Sequence, residues 1–120
     1  MKEENKIQVI LIDPYDQSLS YIDIGESNLD DYYKAMQCSC FDIVSLGGGV
    51  IMYVDDEGLL KDNRYFKLGV IYAGRSILAN ETDDGGTTNC SLTIEEVKEK
   101  LVWLPDDHRE EPFMKFIPLN

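Results

Sequence analysis

Four side chains hold what this chain has of thiol and imidazole chemistry: Cys38, Cys40, Cys90 and the single histidine, His108. A thiol attacks as the thiolate, and it needs a base and an orienting group beside it. Cys40 or Cys90 paired with His108 would supply two of those parts. His108, however, stands in a polar stretch after Pro105, and no local motif joins it to either cysteine. A surface histidine is the expected reading. A structural zinc site wants four ligands, commonly with two to four residues between paired cysteines. Cys38-Ser39-Cys40 has a single intervening residue, and Cys90 and His108 follow at no standard spacing. No catalytic residue, metal or cofactor is therefore assigned, and the chain is not expected to be an enzyme.

Carboxylates are the more abundant chemistry. Aspartate and glutamate number 23 against 11 lysines and arginines, a formal net charge of −12. Such a chain repels phosphate backbones, so direct binding to nucleic acid is not expected. The charge falls in doublets within turn-like stretches: Asp55-Asp56-Glu57-Gly58, Asp83-Asp84-Gly85-Gly86, Asp106-Asp107 and Glu110-Glu111. None fits the 12-residue calcium loop of an EF-hand. They read either as solvated turns or as a face for a basic protein partner. Imitation of DNA would need two rows of carboxylates with few lysines between, and Lys98 and Lys100 break the row on the last helix. Seven tyrosines suit half-buried sheet faces or an interface. The contact set expected for a partner is Tyr32, Tyr33, Asp55, Asp56, Glu57, Asp83 and Asp84.

A second reading is a small-ligand or metal-binding module. Gly47-Gly48-Gly49 could present backbone N–H groups to an anion, with Arg64 or Arg75 reading its charge. No Lys-Ser/Thr follows the glycines and a strand is expected next, so this is not a nucleotide P-loop. A plain hairpin turn is the alternative.

The elements that must position these groups are short. Lys6 to Asp13 is apolar on both parities, as in a strand buried on both faces. Asp13-Pro14-Tyr15-Asp16 supplies a turn, and Leu19 to Ile24 the returning strand. Ser27 or Asn28 can cap a helix over 29–37, whose Leu29, Tyr32, Tyr33 and Met36 share one face. Asp30 and Asp31 suit its first turn. Strands are expected at Phe41–Leu46 and Val50–Val54 around the glycines, then at Phe66–Tyr72 and Ser76–Ala79. Thr93-Ile94-Glu95-Glu96 spells a capping box, with Leu92 and Val97 as its staple, and Pro105 is expected to end that helix at 104.

The resulting order, ββαββββα, is that of an α+β fold: a mainly antiparallel sheet of five or six strands with two helices packed on one face. With 120 residues, one domain is expected at 1–104. Residues 105–120 read as a C-terminal extension packing on the domain or on a partner, because Phe113, Met114, Phe116, Ile117 and Leu119 are too apolar for a solvated tail. A homodimer through that tail is the third use of it. The first residues lack the apolar stretch of a secretory signal, and no run is long enough to span a membrane. An odd number of cysteines then points to reduced thiols and a cytoplasmic location.

Several stretches together resemble one family. They are Ile7-Gln8-Val9-Ile10-Leu11-Ile12-Asp13, Phe41-Asp42-Ile43-Val44, Met52-Tyr53-Val54-Asp55-Asp56-Glu57-Gly58-Leu59-Leu60-Lys61, Ala73-Gly74-Arg75-Ser76-Ile77-Leu78-Ala79 and Ser91-Leu92-Thr93-Ile94-Glu95-Glu96. Their order and spacing over 6–101 resemble the DUF3846 domain of phage, plasmid and bacterial proteins. The chain departs from the pattern at Gly47-Gly48-Gly49, at 61–65 and after Leu101. The resemblance brings no catalytic residues with it. It implies a mobile genetic element, hence the cytosol of a host cell, and an accessory role such as inhibiting a host defence or nucleic-acid-handling protein.

Overall fold

The computed structural model describes residues 6–25, 28–55 and 64–105. Two strands open the chain, β1 (Lys6–Asp13) and β2 (Ser18–Gly25), paired antiparallel over their whole length. Helix α1 (Leu29–Met36) follows. Asn28 caps it, its side chain accepting from the N–H of Asp30, while Gln37 takes the left-handed conformation that ends it. Next come β3 (Phe41–Gly47) and β4 (Val50–Asp55), then β5 (Tyr65–Leu68), β6 (Val70–Ala73), β7 (Ser76–Glu81) and β8 (Thr87–Thr88). Helix α2 (Ile94–Lys100) and β9 (Val102–Trp103) close the described chain.

The strands form two sheets. The larger has six strands, β2-β1-β7-β4-β3 with β8 added to β7, and the smaller runs β6-β5-β9. Each described ladder is antiparallel. The α+β class and the mainly antiparallel sheet are as the sequence predicts.

Successive side chains of β1, β4 and β7 alternate between the two faces of the large sheet and divide the core in two. Ile7, Val9, Ile51, Tyr53, Ile77 and Ala79 join Tyr32 and Met36 of α1 on one face. Ile10, Ile12, Val50, Met52 and Leu78 join Val97 of α2 and Phe66 of β5 on the other. The two helices thus cover opposite faces, which corrects the expectation that both pack on one. Strands buried on both sides need a layer on each, and on the second face α2 shares that cover with the small sheet. There the small sheet fills the space beside α2, with Phe66 set edge-on to Trp103 at 6.5 Å between ring centroids.

Two further expectations change. The single strand foreseen over 66–72 is a hairpin folded at Gly69, whose φ of +80° a residue with a Cβ rarely adopts. The helix foreseen to 104 stops at Lys100: Leu101 is extended, and Val102 and Trp103 pair with Lys67 and Phe66. A β-branched residue beside an aromatic one gains more from that ladder than from another helical turn. The capping box is present as read, with the Thr93 side chain accepting from the N–H of Glu96 and the Glu96 carboxylate accepting from that of Thr93.

Candidate functional site

The glycine run closes the β3–β4 hairpin. Gly47 pairs with Val50, leaving Gly48 and Gly49 as a two-residue turn with φ of +63° and +84°. Positive φ at both central positions is the hairpin turn that matches strand twist, and glycine fills it without strain. The turn also touches β7, since the N–H of Glu81 donates to the Gly49 carbonyl at 2.9 Å.

The acidic turn after β7 starts at that contact. Thr82 to Gly86 is tied to itself: the Thr82 N–H donates to the Gly86 carbonyl and the Gly85 N–H to the Thr82 carbonyl, at 2.9 and 3.0 Å. The Thr82 hydroxyl donates to Asp84, and the Gly86 N–H reaches the Thr82 oxygen at 2.8 Å and Asp84 at 3.3 Å. These donors, the Thr82 hydroxyl first, hold the Asp84 carboxyl below the ordinary aspartate range. Glu81, Asp83 and Asp84 are exposed. This corner therefore presents the hydrogen-bonded Asp84 carboxylate to solvent beside the exposed side chains of Glu81 and Asp83.

A groove of about 610 Å³ opens between the two sheets and α2, bordered by Gly47 of the same glycine run. Its floor is Leu46, Val50, Leu68, Leu92 and Val97. Glu96, Glu99 and Lys100 from one face of α2 form its rim. The sequence carried a signal for this rim, because positions 96, 99 and 100 fall three and four apart. The floor had none, since its residues come from β3, β4, β5, α2 and the loop before α2.

The remaining expected residues scatter. Arg75 precedes β7, at the far end of that strand from Gly49, a separation of about 17 Å at strand rise. Its Nε bonds Asp13 at 3.2 Å, and its guanidinium lies 4.4 Å from the Tyr15 ring centroid. Arg64 is at that same far end, its carbonyl accepting from Gly74 at 2.9 Å. The glycines and the two arginines are therefore not brought together, and the charged groups lining the groove beside Gly47 are two carboxylates and one ammonium.

Tyr32 corrects the expected contact set. It is 1% exposed, stacked on Tyr53 at 4.6 Å and tilted against Phe41 at 5.9 Å, so it is a core residue. Tyr33 is half-buried against Phe41, at 5.0 Å. Asp55 ends β4 opposite Phe41, away from the acidic turn. Asp56, Glu57, His108 and the tail from Asp106 lie outside the described residues.

None of the three cysteines is in a disulfide. Cys38 packs on the α1 face, Cys90 on the α2 face, and Cys40 is exposed. Burial pushes the Cys90 thiol above its ordinary range. Among the described residues no helix is long and apolar enough to cross a membrane.

A family model described as a domain of unknown function, DUF3846, matches residues 7–102. No curated protein and no solved structure matches the chain.

Proposed function

We propose that this chain, which belongs to the DUF3846 family, is a protein-binding module that engages a basic partner through the acidic end of its large sheet. One observation carries the reading: Glu81 at the end of β7 and Asp83 and Asp84 in the following turn are all exposed, and that turn is closed by its own hydrogen bonds. Preorganised charge loses little entropy on binding and steers encounter with an opposite charge. A net charge of −12 extends that attraction beyond the turn. The same charge would let the module sit in the phosphate-binding site of a nucleic-acid-handling protein, which is how an inhibitor from a mobile element would act. No step of chemistry is assigned to it.

Affinity capture from the host lysate, with wild type and with the Glu81→Gln, Asp83→Asn, Asp84→Asn triple variant, tests this. A partner held by wild type should be lost by the variant. Its affinity should also fall steeply as salt shortens the Debye length from about 10 Å at 0.1 M to about 3 Å at 1 M. A captured partner that binds both proteins equally, with an affinity flat in salt, overturns the reading.

A further inference from the structure

We propose that the groove between the sheets is an intramolecular docking site for the C-terminal segment Pro112-Phe113-Met114-Lys115-Phe116-Ile117-Pro118-Leu119. This goes beyond the acidic turn's role and does not depend on it. Three observations converge on this one occupant.

The first is chemical match. The groove floor is five apolar side chains, and its volume of about 610 Å³ is within the range of sites that enclose a drug-sized molecule, enough for several side chains. The segment supplies Phe113, Met114, Phe116, Ile117 and Leu119, whose exposure to water is unfavourable.

The second is charge. Glu96 and Glu99 stand on the rim against the single ammonium of Lys100, so the rim is net acidic. In a chain with 23 acidic residues against 11 basic ones, this segment holds a lysine and no carboxylate. Lys115 sits between Met114 and Phe116, so an apolar face laid on the floor carries its ammonium to the rim.

The third is reach. The Leu104 N–H donates to the Tyr65 carbonyl at 3.2 Å, which puts the chain's exit beside the first residue of β5. That strand runs from there to Leu68 on the groove, about 10 Å at strand rise. Residues 106–111 span up to about 20 Å when extended, twice what is needed. Polar residues in that stretch suit a solvated connection.

The experiment uses the full chain with methyl-labelled Ile, Leu and Val. Proton contacts are expected from the Phe113 and Phe116 rings to the methyls of Leu68, Leu92 and Val97. Amide exchange over 113–117 is expected to be slowed on the order of tenfold, as for a segment docked about nine-tenths of the time. Phe116→Asp should abolish both while the core resonances stay dispersed. Lys115→Glu should reduce the protection several-fold. A dispersed core spectrum without those contacts, or exchange over 113–117 at unprotected rates, overturns the proposal. So do contacts seen only between differently labelled molecules, which would make the occupant a second copy.

Discussion

Replacing Tyr32 by alanine separates a core aromatic from a contact aromatic. The ring is 1% exposed and packs against both Tyr53, at 4.6 Å, and Phe41, at 5.9 Å. Truncating a buried aromatic to alanine costs about 3–5 kcal/mol, and the aromatic contacts place this one in the upper part of that range. A domain of this size has about 5–15 kcal/mol in total. At roughly 3–5 °C per kcal/mol, the melting temperature should fall by about 10–20 °C. Tyr33, one position on, is half-buried, with its ring tilted against Phe41 at 5.0 Å. Tyr33→Ala should cost about 1–1.5 kcal/mol, or roughly 5 °C. Thermal melts followed by far-UV circular dichroism read both variants in one assay. A Tyr32→Ala protein that melts no lower than Tyr33→Ala would refute the packing argument and restore Tyr32 to the surface.

Two further outcomes follow from the same kind of reading. Thr93→Ala removes one half of the capping box at α2, and urea unfolding should show a loss of about 1 kcal/mol with an unchanged m-value. Asp84 should titrate below an ordinary aspartate when its carboxyl carbon is followed by NMR, because its hydrogen bonds favour the charged form. Since the folded pKa is the lower one, the turn's stabilisation is present above the unfolded pKa and is lost as pH falls through the folded pKa. Thr82→Val should move the Asp84 midpoint back up; an unmoved midpoint would deny the hydroxyl its part.

Much of the fold was legible because local signals and tertiary needs agree. The cap of α1, open in the sequence between Ser27 and Asn28 and made by Asn28, the Thr93–Glu96 box and the glycine hairpin each draw on residues within a few positions of one another, and all three form. What escaped were decisions settled by distant partners. Val102 and Trp103 leave the helix because β5 offers a ladder, and nothing near them in the chain announces β5. Gly69 could have been read as a fold within 66–72, but an isolated glycine in a strand marks a bulge as readily as a turn. The placement of the helices was decidable from the outset. Ile7 and Val9 on one parity of β1, with Ile10 and Ile12 on the other, already required a cover on each face, and two helices on one face would have left the second bare.

The acidic residues show the converse limit. Asp83 and Asp84 were readable as a turn, and a turn is what they make. Which other charges share their end of the sheet depends on strand order, and strand order is a long-range property. Glu81 meets Gly49 because β4 lies beside β7, which places the glycine hairpin, the acidic turn and the groove together and leaves Arg75 at the opposite end. The glycine run thus joins a corner where the carboxylates of Glu81, Glu96 and Glu99 outnumber the one ammonium of Lys100, while Arg64 and Arg75 lie at the other end. That electrostatic order, more than the composition, is why a cationic partner is the better match for this end of the protein.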